Sequence, residues 1–387
     1  MSGVFIRWAR RLSALFIAAT ALPTLAGIPP SDHYQSVVLN FDRSAPPADH
    51  YLWRRMTHAW NETPIEGAGY TNMHLVCLSN TDPATGQCST TTTGRLGTTD
   101  IPLRFTERRS GLSYVLVVKG QLHRRYPLNI CNGEWDGRLF VLTTNSPAYC
   151  GVDENDIRLR SEGTGSTLWI PRSEFAKLPT GGIWTAKMIL KLKRYASQPI
   201  SAANTVTVDF KLDVTDRDNM QIYLPAYGMS TPQVDLNLRT RPLSTTPGGI
   251  VSGRSVVDAC LYDGYNANSQ SYEIRVTGTN PVPGMEGRFF VHHTSGGSGE
   301  RNRIEYTVRT RTANLGETQH VSGQPVSFNG INNADIRAVK LPNVPFPVVC
   351  TPWPITLDTP DFNQIEKNAG QYRGELKLEF TPSTSSP

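Results

Sequence analysis

The chain has 387 residues, with 38 Lys and Arg against 33 Asp and Glu, a formal net charge of +5. Hydrophobic residues make up 38% and charged ones 18%, which excludes both a multi-span membrane protein and a disordered chain. Gly 32 and Pro 28 make it turn-rich without low complexity, and the length suits two domains, each with its own core.

In chain order, residues 1–26 read as a secretory signal peptide. Arg7, Arg10 and Arg11 open it, Leu12 to Leu22 is a short apolar stretch, and Thr24-Leu25-Ala26 places small residues at a cleavage site before Gly27. The apolar stretch is far below the ~20 residues of a spanning helix. The rest is expected to be exported and soluble. Those three arginines leave with the signal, so the net charge falls to +2. From Gly27 to Asp216 there are 20 basic and 18 acidic residues, and 15 of each beyond. Net charge therefore does not predict a partner.

The remainder reads as all-β. Ile101-Leu103-Phe105 alternates with polar residues, while Tyr114 to Val118 is continuously apolar and suits a more buried strand. Ser173 to Leu178 resembles a helical turn capped by Ser173. Lys187, Lys191 and Lys193 share one strand face opposite Met188, Leu190 and Leu192. Arg194 is in phase with the inward side just where that strand ends. Val206, Val208, Phe210, Leu212 and Val214 face one way, against Thr207, Asp209, Lys211 and Asp213, the pattern of a half-buried strand. The polar run Thr215 to Asn219 is the expected domain boundary. With no Gly/Ser or Pro-rich linker there, the two domains are expected to touch. Val234-Leu236-Leu238, Arg288 to Val291 and Leu376-Leu378-Phe380 predict further strands, and Gly296 to Gly299 a hairpin tip. Many short strands suggest immunoglobulin-like sandwiches in tandem.

Six cysteines follow the signal: Cys77, Cys88, Cys131, Cys150, Cys260 and Cys350. None forms a Cys-x-x-Cys pair, which sets aside zinc ribbons and thioredoxin-type sites, and an even count in an exported chain favours disulfides. Six cysteines allow 15 pairings; nearest neighbours, 77–88, 131–150 and 260–350, are the simplest. No nucleophile elbow, His-Glu-x-x-His motif or phosphate loop is present. His292-His293 is adjacent on a strand, so the two rings point to opposite faces and suit no shared metal. No cofactor or metal is implied, and nucleic acid is not an expected partner. A glycan-acting hydrolase would need one carboxylate pair that spacing alone does not single out.

The stretches Met73 to Ser79, Leu103 to Ser110, Lys177 to Trp184, Val234 to Arg239, Cys260 to Tyr265 and Gly370 to Gly374, with all six cysteines in place, carry a family likeness. In them, from about Tyr70 onward, the chain resembles the tip adhesins and assembly initiators of class 5 enterobacterial fimbriae, the CblD/CfaE family. The resemblance implies an adhesin domain over 27–216 and a pilin domain over 217–387 that lacks one strand. It implies a periplasmic chaperone, an outer-membrane usher, a major pilin that donates the missing strand, and a host cell-surface glycan or glycoprotein. The function expected is that of a non-enzymatic pilus-tip subunit that initiates assembly and adheres to host cells. An initiator without a receptor of its own is the alternative. Family receptor binding rests on arginines, one of which falls on Arg194; two others correspond to Tyr195 and Asn72. Lys193, Arg124 and Arg125 are the neighbouring candidates, since arginine's fork suits acidic groups.

Overall fold

The computed structural model describes residues 28–60, 73–126, 134–146, 149–152, 158–160, 163–194, 204–228, 231–241, 245–312 and 316–383. The expected signal segment lies outside them. Ten strands precede Asp216: β1 (His33–Asp42), β2 (His50–Trp60), β3 (Met73–Cys77), β4 (Thr99–Glu107), β5 (Ser113–Arg125), β6 (Tyr149–Val152), β7 (Arg158–Arg160), β8 (Gly163–Ile170), β9 (Gly182–Arg194) and β10 (Asn204–Thr215). Eight of these form one sheet in the order β1-β10-β9-β4-β5-β8-β2, with β3 added against β9.

The period-2 pattern of β10 explains its place. Val206, Val208, Leu212 and Val214 are fully buried and Phe210 nearly so, in one core with Ile101, Leu103 and Phe105 of β4. Antiparallel pairing sets Phe210 opposite Ala186 and Leu212 opposite Trp184 of β9. The other edge of β10 takes β1 in parallel, from His33 opposite Val206 to Asp42 opposite Thr215. That pairing of the N-terminal strand was not expected from sequence. Tyr114 to Val118 also departs from expectation. Leu116 and Val118 are buried but Val115 is 39% exposed, so β5 alternates rather than being covered on both faces. The helical turn forms at Arg172–Phe175, one residue earlier than expected. Its N-cap is Pro171 with no side-chain bond, so Ser173 is not the cap.

Beyond Asp216 the strands are β11 (Gln221–Tyr223), β12 (Arg239–Thr240), β13 (Ile250–Val257), β14 (Cys260–Tyr262), β15 (Ser271–Gly278), β16 (Phe289–His293), β17 (Arg303–Thr312), β18 (Gly316–Gln319), β19 (Pro325–Asn329), β20 (Arg337–Val339), β21 (Val348–Pro352), β22 (Ile355–Asn363), β23 (Tyr372–Arg373) and β24 (Leu376–Pro382). They form three sheets: β11-β14-β21-β20, β12-β13-β22-β17-β16-β23 with β18 on β17, and β19-β15-β24. Tyr272, Ile274, Val276, Val308 and Trp353 anchor the main core between them. Cys77–Cys88 and Cys260–Cys350 are disulfides; the expected 131–150 pair lies outside the described residues. The Gly296 to Gly299 stretch is the tip between β16 and β17, as expected.

The two units meet through buried polar groups. Asp216, 3% exposed, accepts from Arg43 Nη1 at 2.5 Å, and its amide donates to Gly264 O at 2.8 Å. Asn266 Nδ2 donates to Gly181 O at 2.7 Å, Arg109 Nη2 to Ala334 O at 2.7 Å, and the Tyr265 hydroxyl to Asp213. The backbones touch here because both facing residues are glycines. A Cβ on Gly181 would lie 2.0 Å from Gly264 O, and one on Gly264 (φ +67°) 2.3 Å from Asp216 O. Gly264→Ala therefore adds left-handed strain of about 1–3 kcal/mol to a steric clash with Asp216 O. Calorimetry is expected to show the single unfolding transition broaden or split, and an unchanged transition would mean that the junction does not couple the units.

Candidate functional site

β9 carries the basic candidates because its alternation continues to its last residue. Leu190 and Leu192 are buried, Lys193 is exposed and Arg194 half-buried. β3 holds this end, with Met73 opposite Arg194 and His74 opposite Lys193. Arg194 thus emerges at the rim, the position its phase predicts. The other lysines of this face are engaged: Lys187 pairs with Asp209 at 3.1 Å and Lys191 donates to Thr205 Oγ1 at 2.7 Å. Tyr195 and Asn72 lie outside the described residues.

Arg124 does not belong to that surface. It is 0% exposed, because it replaces water with carbonyls from two segments and a hydroxyl from a third. Nη1 donates to Met73 O at 2.7 Å and to Thr164 Oγ1 at 2.6 Å. Nη2 donates to Thr144 O at 2.9 Å and Nε to Ser146 O at 3.0 Å. Burial, partly offset by Asp136, lowers its pKa to about 9. A receptor has no access to this guanidinium; it braces the backbone of β3, whose Met73 faces Arg194. A doublet of arginines on a strand sends the two side chains to opposite faces, a signal that was available in the sequence. Arg125, the outward member, reaches Glu134 at 3.2 Å with 13% of its side chain exposed and stacks 4.5 Å from the Trp60 ring. The structure thus leaves Lys193 and Arg194 at the end of β9 on opposite faces of the strand, shields Arg125, and removes Arg124.

Buried polar contacts that sequence reasoning missed lie along β8, at two adjacent residues that point to opposite faces. Trp53 Nε1 donates to Ser166 Oγ at 2.9 Å, and the same hydroxyl hydrogen-bonds His58 Nε2 at 2.6 Å. His123 Nε2 meets Thr167 Oγ1 at 2.9 Å. Burial, with His33 adding repulsion, lowers the His58 pKa to about 4; burial and then Arg55 do the same for His123, also to about 4. Among the described residues no group of three His, Cys, Asp or Glu is placed to hold a metal.

The second unit contains an apolar groove of about 610 Å³, lined by Ile222, Leu224, Val234, Leu236, Leu376 and Leu378 among others. One wall is the segment 231–238. It alternates as expected, with Pro232, Val234 and Leu236 half-buried and Gln233, Asp235 and Asn237 exposed, but among the described residues it joins no ladder. The strand predicted over Val234 to Leu238 does not form: Asn237 is left-handed (φ +51°), and pairing begins only at β12. The opposite wall is β24, an edge strand whose one partner is β15.

Comparison with known proteins gives two family models, both for the CfaE-type CFA/I fimbrial subunit: its first domain over residues 22–217, and its second domain over residues 220–384. The CFA/I fimbrial protein of this type from Escherichia coli is 33% identical over 328 residues, 82% of each chain. Among solved structures, CfaE, the adhesive subunit of CFA/I fimbria of enterotoxigenic E. coli, is 29% identical with a TM-score of 0.77, covering 94% of this chain and 95% of that one. A chaperone–tip adhesin complex of CFA/I fimbriae biogenesis is 28% identical with a TM-score of 0.66, covering 92% and 98%. Two tandem all-β units, each matched by its own family model, mark the class of fimbrial adhesin subunits. Within that class, the chain belongs to the CfaE family of CFA/I fimbrial subunits.

The buried imidazoles make stability depend on pH. Their folded-state pKa values of about 4 lie below the ordinary 6.5, so their contribution is complete above pH 6.5. It is lost as pH falls from there through 4, where the unfolded chain binds protons that the folded one refuses. The melting temperature is expected to drop across that window. Replacing His58 and His123 with Gln should flatten the slope even at lower overall stability; an unchanged slope would contradict neutral burial.

Proposed function

We propose that the protein is the tip adhesin of a chaperone–usher fimbria. It starts the fibre, accepts a strand from the next subunit, and meets a host cell-surface glycan or glycoprotein through the rim of its first unit. The division into an adhesin domain, 27–216, and a pilin domain, 217–387, is part of this reading, as are export through the periplasm and residence at the fibre tip. A periplasmic chaperone occupies the groove first, the outer-membrane usher passes the subunit outward, and the major pilin then fills the groove for good. We read the protein as adhesive rather than catalytic.

The observation that carries this reading is the unfilled groove. The 231–238 segment and β24 present backbone groups without strand partners on either side of an apolar floor. Strand addition answers both demands at once: main-chain hydrogen bonds satisfy the edges while alternate side chains fill the groove. Family membership supports the same conclusion, since the relatives are an adhesive fimbrial subunit and a tip adhesin with its chaperone.

For the groove, a synthetic peptide copying the major pilin's N-terminal strand is added to the full chain. At 100 times its dissociation constant it contributes about 2.7 kcal/mol, a rise of roughly 2–4 °C in melting temperature. A peptide with Asp at the alternate apolar positions should give none, and no shift with either would argue against strand acceptance. For the rim, Arg194→Ala is expected to lower cell binding at least tenfold while fibre number stays unchanged. Unchanged adhesion would favour an initiator that has no receptor contact at this rim.

A further inference from the structure

The floor of the groove in the second unit carries one polar side chain. Four neighbouring strands of one sheet supply that floor: Val257 from β13, Ile355 and Leu357 from β22, Tyr306 from β17 and Val291 from β16. Tyr306 alternates inward with Ile304 and Val308, and its ring packs on Phe289 with 5.7 Å between centroids. Side chains stand roughly perpendicular to a sheet. The hydroxyl is therefore the end of Tyr306 farthest from β17, toward the space that the groove encloses.

That hydroxyl has no partner. Tyr306 is 4% exposed, yet among the described residues its oxygen hydrogen-bonds no other group. It is not one of the unpartnered atoms sealed from solvent, so it stays open through the groove it lines. Burial raises its pKa to about 12, which keeps the O–H protonated at neutral pH. A strand laid in the groove closes it off, and a buried hydroxyl left unpaired is costly. The main chain of such a strand is engaged at the edges, β24 and 231–238, so one of its side chains must meet the hydroxyl. Apolar alternation alone does not fix a donor's register, because a slip of two residues returns the same face to the floor. One polar group on an otherwise apolar floor removes that degeneracy, as a single buried polar residue does in a coiled coil.

We propose that Tyr306 sets the register of the incoming strand by requiring one hydroxyl or carboxamide side chain among that strand's otherwise apolar inward residues. This role rests on strand acceptance by the groove and adds the chemistry of the donor to it. Register is then read twice: the apolar floor selects the face of the strand, and Tyr306 selects the position along it.

The test uses the full chain and a panel of peptides copying the major pilin's N-terminal strand, in which each inward position in turn carries Val, Thr or Asn. Calorimetric titration is expected to find one position where Thr or Asn binds about fivefold or more tighter than Val, and Val tightest at every other. Tyr306→Phe removes only the hydroxyl and keeps the ring on Phe289, so the variant should fold. With it, Val is expected to bind tightest at that position too, while the other positions keep their order. The assignment is overturned if Val is tightest at every position of the unaltered chain, or if the polar preference survives Tyr306→Phe. Binding of no peptide to the unaltered chain would instead contradict strand acceptance itself, and this role with it.

Discussion

One buried carboxylate organises the meeting of the two units. Glu107 is 0% exposed, and a charge there persists only if its lone pairs are filled. Oε2 accepts from the amides of Arg109 and Ser110 and from the Ser110 hydroxyl. Oε1 accepts from the amide of Ile183 at 3.1 Å and from Asn268 Nδ2 at 2.9 Å. These bonds fix the turn after β4, the first residues of β9, and a loop of the second unit. On that loop Asp263, 1% exposed, repeats the device by accepting from the amides of Tyr265, Ala267 and Ser269. The left-handed residues Asn266 and Ala267 are held by these contacts.

β9 carries the consequences of that anchor outward. Its 13 residues span about 40 Å at ~3.3 Å each, from the junction at Gly182 to the rim at Arg194. The strand is pinned at the first end by Glu107 and at the other by β3, which Arg124 braces from within. A buried guanidinium without a carboxylate at bonding distance is stable only because carbonyls and a threonine hydroxyl surround it. The interior thus takes Arg124, while Lys193 and Arg194 remain at the outer end of β9.

Much of this was legible in residue patterns and part was not. The alternation in β10 and in β4 located strands and their buried faces, because a half-buried strand has few competing readings. Arg194 at the end of its strand was legible for the same reason. Arg124 was misplaced because composition treats an arginine pair as surface charge, whereas strand geometry turns one of the two inward. The parallel pairing of β1 with β10 left no local trace, since its partner lies about 170 residues away. The 231–238 segment had the pattern of a strand and lacked the ladder, for pattern reports burial and not pairing. The glycine contact at the junction and the buried histidines depend on tertiary neighbours and were invisible in the chain.

That unpaired pattern is also the centre of the functional account. A segment with strand alternation and, among the described residues, no ladder, lining one apolar groove together with an edge strand, is the feature on which the proposed strand acceptance rests. Native-state hydrogen exchange of the full chain, with and without the major pilin's N-terminal peptide, tests this most directly. The account predicts that amides in 231–238 and along β24 exchange quickly alone and become protected together when the peptide binds. Unchanged exchange at both edges in the presence of saturating peptide would contradict it.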